Sequence, residues 1–277
     1  MKKNLIIIGM CIVYLLSSGA NLKAQKKIDN SIFECIYSYN QNKENASNKY
    51  FTMLEIGSKI AKFEDYAHYQ LDSVIAAKAN KEEIDKYKKQ VEKSAFYFEP
   101  TIIQNFPTGK ISVFDVIIPD YYTYNENSKK DWKIFYKEKK KICGYDCYKA
   151  TTEYGGKKWT AWFALKIQAP FGPWKLSGLP GLILKASDDK NQHVFEAISI
   201  RKNDRDICSL AKKQRIKSSR DKFVKRKNVV YANPMKNIPV ESISSMTVKR
   251  LENNTKIAYI NGLRLRMNHG AYLPIEK

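Results

Sequence analysis

Histidine is scarce in this chain, with only three in 277 residues. His68, His193 and His269 are scattered, share no metal-ligand spacing, and none adjoins a cysteine or serine nucleophile. A zinc site or a histidine-based triad therefore has no local sequence support. Carboxylates occur singly on turns and polar strand positions, so no acid and base pair can be named. The run Asp188-Asp189-Lys190-Asn191 lacks the spaced oxygen donors of a calcium loop and reads as a turn. Hence no catalytic residue, metal ligand or cofactor is assigned. Internal repeats and low-complexity linkers are also lacking. Beyond the N-terminus no segment approaches the roughly 20 apolar residues of a membrane helix, which predicts a soluble or peripherally attached body.

Acid is short relative to base, with 28 Asp and Glu against 49 Lys and Arg and a formal charge of +21. The first residues carry a different signal. Lys2 and Lys3 precede an apolar run from Leu5 to Leu16, and Leu22-Lys23-Ala24 lies before Gln25. That order predicts a signal peptide, residues 1–24, cleaved after Ala24, and an exported protein that is periplasmic, outer-membrane-associated or secreted. Cys11 sits within the apolar run without the small residues that precede a lipidated cysteine, so a lipid anchor is not expected. The leader holds Lys2, Lys3 and Lys23 and no acid, so its loss lowers the formal charge from +21 to +18. Export and the lack of any nucleic-acid motif argue against a nucleic-acid partner. Anionic envelope surfaces and acidic proteins suit such a chain better.

Four cysteines remain after cleavage: Cys35, Cys143, Cys147 and Cys208. An oxidising compartment permits disulfides, and three pairings exist. On a straight strand Cys143 and Cys147 would stand about 13 Å apart at Cα, beyond bridging reach. A turn at Gly144 brings them together, which makes this pair the candidate disulfide. Pairings with Cys35 or Cys208, and a redox or soft-metal role, are the alternatives.

Along the chain, Phe33, Cys35, Tyr37 and Tyr39 alternate with Glu34, Ile36 and Ser38, and a polar turn at 40–48 leads to a second run, Lys49 to Ile56. This predicts an opening hairpin. From Asp72 to Lys93, alanine, charge and an Asn80–Glu83 capping pattern predict one or two helices. Short strands separated by Pro100, Pro107 and Pro119 follow. Trp132 to Ala164 reads as three antiparallel strands with turns at Gly144 and Gly155-Gly156. Val194 to Ile200 is a further strand, and Ser218 with Asp221 opens a basic helix. Together these predict a β-rich α+β fold of one domain, residues 25–277: a curved antiparallel sheet or half-barrel with a few covering helices.

The segment Gly178-Leu179-Pro180-Gly181-Leu182-Ile183 has its own physics. Two glycines around a proline set a rigid bend, and Leu182-Ile183-Leu184 predicts a central strand. Setting that reversal and filling the core is one role. A second role is suggested by Trp159, Trp162 and Trp174, with Phe171 and Lys175 nearby. Odd spacing sends Trp159 and Trp162 to opposite sheet faces, so one of them leaves the main core unless both faces are covered. An open aromatic groove would then bind an extended peptide or an apolar tail.

The hexapeptide Gly178 to Ile183 spells the name of the GLPGLI family, exported proteins known mainly from Bacteroidetes, which this chain resembles. The resemblance extends through Leu54-Glu55-Ile56, Lys62-Phe63, Trp132, the Ile142 to Cys147 turn, Lys149-Ala150, Ala161-Trp162-Phe163, Gly172-Pro173 and the terminal Pro274-Ile275-Glu276. Cys143 and Ala61 depart from the family's pattern. The resemblance implies an envelope association and suggests a link to an outer-membrane transport system, but no biochemical activity. The function expected is a non-catalytic binding or assembly module for an envelope protein, peptide or lipid, with peripheral membrane contact. The alternatives are an extracytoplasmic hydrolase, a metal-handling protein, or a carrier of an apolar ligand inside the curved sheet.

Overall fold

The computed structural model describes residues 26–43, 46–93, 98–210, 214–250, 256–266 and 273–276. The predicted leader, Cys11 and His269 lie outside the described residues. The opening strand β1 (Lys27–Lys43) pairs antiparallel with β2 (Ala46–Gly57), and β2 with β3 (Ala61–Asp65). The sheet continues outward through β4 (Thr101–Gln104), β5 (Lys110–Ile117) and β6 (Asp120–Asn127). On its other side β1 pairs with the later strand β11 (His193–Lys202). Beyond β11 come β10 (Leu182–Asp188), β9 (Lys157–Ala164), β8 (Tyr145–Tyr154) and the edge strand β7 (Lys133–Ile142). The result is a large curved sheet that stays open.

Turn chemistry fixes the register of the β7 to β9 meander. Cys143 and Gly144 have φ of 49° and 83°, and Gly155 and Gly156 have 62° and 74°. Two successive left-handed residues form the two-residue turn whose twist matches a hairpin. The expected strands and turns are therefore present. The predicted central strand is present too: β10 lies between β9 and β11, with Leu182, Ile183 and Leu184 fully buried.

One sheet face carries the main core. Tyr37, Tyr39, Leu54, Phe63, Trp159, Phe163 and Phe195 are buried there, and the Tyr39 and Phe195 rings stack at 4.3 Å. The opposite face is covered near β1 to β3 by α1 (Tyr66–Ala76), whose Tyr69 packs with Ile36 and Met53. Helix α2 (Lys81–Lys93) follows, with the Glu83 N–H donating to Asn80 Oδ1 at 2.9 Å as its cap pattern predicts. The first helix starts at Tyr66 rather than Asp72. Asp65 caps it, accepting from the Ala67 and His68 N–H groups at 3.0 and 3.1 Å. The basic helix, α3 (Arg220–Ala232), is capped by Ser219 and held to β5 by Lys227, whose Nζ reaches both Asp115 oxygens at 2.8 Å.

Candidate functional site

The loop between β9 and β10 contains the glycine-proline segment and determines where the predicted binding residues go. At Gly181 a Cβ would stand 2.2 Å from the Ala164 carbonyl oxygen, so only glycine permits this chain approach. At Gly178 the reason is conformational, since φ is +96° while a Cβ would make only ordinary contact with the Trp132 indole at 3.9 Å. Leu179 is buried and Pro180 exposed, and the Trp132 indole donates to the Ser177 carbonyl at 2.9 Å. Buried Gln104 clamps the loop from β4, its Nε2 donating to the Gly172 and Trp174 carbonyls at 2.6 and 2.7 Å. These contacts turn the loop's side chains inward.

The open aromatic groove is therefore not formed. Trp159, Phe171 and Trp174 are buried, and Lys175 is 1% exposed. Trp159 and Trp174 contact each other at 5.3 Å, and Tyr154 meets Trp174 edge-on at 5.4 Å. Trp162 alone of the five is half-buried, on the face opposite Trp159 as its spacing requires. It stands in a cross-strand row of Phe135, Lys149, Trp162, Lys185 and Glu196. The Lys140 ammonium lies 5.9 Å from its ring centre, and Lys149 lies 5.5 Å from that of Phe135. Lysines 137, 139, 140 and 141 are exposed on β7. This part of the outer face is basic and aromatic, and it ends at a strand edge.

Lys175 instead anchors a buried ionic cage. Its Nζ lies 2.8 Å from Glu126 Oε1 and 2.8 Å from the Tyr124 hydroxyl, and it contacts Glu276 Oε1. Arg220, at the start of α3, approaches Glu126 at 3.4 Å and Glu276 at 3.1 Å. Lys130 sits 4.5 Å from the Tyr154 ring centre, and burial lowers its pKa to about 8 against the raising effect of Glu126. Burial, reinforced by the Glu126 and Glu276 charges, raises the Tyr154 hydroxyl far above its ordinary value. Such a cage binds a carboxylate through charge and shape. A reacting atom has no place in it while Glu276 fills it.

Beside the cage, Lys157 Nζ pairs with Asp188 Oδ2 at 2.9 Å, and Asp188 Oδ1 accepts from the His193 N–H at 2.9 Å. His193 Nε2 lies 3.1 Å from the Pro274 carbonyl, which can only accept, so Nε2 carries the proton. Nδ1 then accepts from the Tyr39 hydroxyl at 2.7 Å. Burial, with the Lys157 charge beside it, pulls the imidazole down to about 4, so the ring is neutral. An open depression of about 440 Å³, lined by Tyr154, Lys157, Asp188 and Gln192, adjoins this chain of contacts.

The sequence reading missed a second buried set. Pairing sets Glu34 opposite Glu55, and Glu55 opposite Lys62. Lys62 Nζ lies 2.6 Å from Glu64 and 3.9 Å from Glu55. Tyr69 donates to Glu34 at 2.9 Å. Burial, aided by Glu64 and Glu34 and opposed by Lys62, pushes the Glu55 carboxyl up to about 7. The alternation of β1 was the available signal: its polar half faces a helix rather than solvent.

The candidate disulfide is also corrected. Cys35, Cys143, Cys147 and Cys208 are all free thiols. Cys143 occupies the exposed tip of a two-residue turn, while Cys147 is buried on β8 opposite Lys140. Burial raises the Cys147 thiol to about 11. Among the described residues no group of three His, Cys, Asp or Glu side chains could hold a metal ion.

No protein-family model matches the chain, and no curated protein matches it. Among solved structures it is similar to PNGF-II, with a TM-score of 0.48 and 18% identity over 82% of this chain and 40% of that one. It thus spans about two fifths of the PNGF-II chain. MucB in complex with MucA(peri) aligns at a TM-score of 0.28 and 10% identity, over 88% of this chain and 76% of that one. A LolA superfamily protein from Nitrosomonas europaea aligns at 0.27 and 10% identity, over 65% and 89%. At these scores the likenesses specify neither activity nor partner.

Proposed function

We propose that the chain is an exported, non-catalytic binding module of the bacterial envelope, of the GLPGLI type, and that it docks an acidic protein surface. The observation that carries this reading is the outer row through Trp162. Phe135 and Trp162 supply flat apolar area, flanked by Lys140 and by the lysine–glutamate pairs Lys149–Glu138 and Lys185–Glu196, with the positive excess coming from the β7 lysines. The row adjoins the β7 edge, where lysines at 137, 139, 140 and 141 repel an identical edge and attract an acidic one. The interior argues against an apolar carrier, because the chain's own rings fill the core face.

Replacing Trp162 by a photocrosslinking phenylalanine analogue in producing cells tests the reading. A discrete protein adduct is expected, lost when Lys139, Lys140 and Lys141 are changed together to glutamate. An adduct indifferent to that reversal would overturn the proposal. So would the lack of any protein adduct together with sedimentation on phosphatidylglycerol vesicles, which would assign the face to lipid. The mature protein should begin at Gln25, as read by N-terminal sequencing.

A further inference from the structure

The last described residues, 273–276, are held by side chains from separate elements. Gln41 Nε2 on β1 donates to the Leu273 carbonyl at 3.0 Å. His193 Nε2 on β11 donates to the Pro274 carbonyl at 3.1 Å. Asn228 Nδ2 on α3 donates to the Glu276 carbonyl at 3.2 Å. Ile275 packs against the main core, and the Glu276 carboxylate enters the cage of Lys175 and Arg220. Gly155 makes room for it, since a Cβ there would stand 3.2 Å from Glu276 Cγ. Three main-chain carbonyls, one apolar side chain and one carboxylate are thus read at once. These are the elements of a peptide site, occupied here by the chain's own residues 273–276.

We propose that this is a recognition site for an acidic peptide bearing proline two residues before glutamate, closed in the free protein by residues 273–276 and opened by exchange. Charge balance selects the incoming group. With Glu276 withdrawn, buried Lys175 keeps only Glu126 as an acidic partner, Arg220 keeps Glu126 and the solvent-exposed Asp221, and Lys130 stands beside them, leaving positive charge in excess inside the cage. An uncompensated buried charge is costly, so release of the tail is coupled to the arrival of another carboxylate. The tail holds its place through a high effective concentration rather than a large interface, and a partner peptide in sufficient amount competes with it. This site is separate from the Trp162 face and does not depend on it.

The test uses the full chain and a fluorescent, N-acetylated peptide of residues 271–277, Ala-Tyr-Leu-Pro-Ile-Glu-Lys. Fluorescence anisotropy should show the Glu276→Gln protein binding the peptide about tenfold or more tighter than the wild type, whose site is filled. A peptide with glutamine for its glutamate should lose about tenfold or more, since it brings no charge to the cage. Circular dichroism and cooperative unfolding check that the variant is folded. Should Glu276→Gln not fold, the same titration on Gln41→Ala, which loosens the tail only at Leu273, gives the decision. Equal binding of the glutamate and glutamine peptides would overturn the proposal, as would no binding of either to a folded, loosened variant.

Discussion

At the scale of single residues, Gly181 and Gly178 serve the same bend for different reasons, and substitution separates them. Alanine at 181 drives a methyl against the Ala164 carbonyl at 2.2 Å and should cost roughly 2–4 kcal/mol. Alanine at 178 meets only ordinary contact with the Trp132 indole and bears the left-handed backbone, about 1–2 kcal/mol. Urea unfolding of the two variants checks the order. Two buried ionisable groups oppose each other across one pH window. His193 titrates near 4 in the fold and near 6.5 unfolded. The unfolded chain gains that proton first, so this contribution is full above about pH 6.5 and is lost as pH falls to 4, on the order of 3 kcal/mol. Glu55 keeps its proton to about pH 7 in the fold and releases it near 4.5 unfolded. Its contribution is full below about pH 4.5 and declines as pH rises to 7. Between pH 4.5 and 6.5 the two contributions offset each other, so Glu55→Gln should make stability fall on acidification and His193→Gln should make it fall as pH rises. Unchanged profiles in both variants would rule out these assignments.

At the scale of elements, the capping and turn residues explain where the sequence reading succeeded and where it slipped. Asn80 and Gly155-Gly156 act through their immediate neighbours, and their helix start and hairpin were legible. Asp65 was not, because its two carboxylate oxygens serve different elements: Oδ1 caps α1 and Oδ2 accepts from the Phe98 N–H at 3.0 Å. Asp65→Ala should lower stability by about 1–2 kcal/mol and Asp65→Asn by less, as thermal unfolding would show. The same locality argument applies to the thiols. The β7–β8 turn puts Cys143 at an exposed tip while the strand carries Cys147 inward. Native alkylation should label Cys143 and spare Cys35 and Cys147, and peptide mass mapping should find no Cys143–Cys147 bridge.

For the whole molecule, sequence alone determined what depends on nearest neighbours along the chain. Period-two alternation, paired glycines and the apolar run at Leu182 specified a curved antiparallel sheet with its central strand, because strand formation and turn type are governed by a few adjacent torsions. The excess of lysine fixed the sign of the chain's own net charge. Only the tertiary structure decided which polar residues lose their water. Helix α1 covers the Glu34 and Glu55 side of the sheet, the Gln104 clamp turns Trp174 and Lys175 inward, and residue 276 returns to meet residues 126, 175 and 220. Those partners lie tens to hundreds of residues apart, and burial depends on what covers a face rather than on the alternation that creates it. The aromatic cluster was therefore legible as a set of residues, while its division into a buried inner group and the half-buried Trp162 on the outer face had to come from the packing.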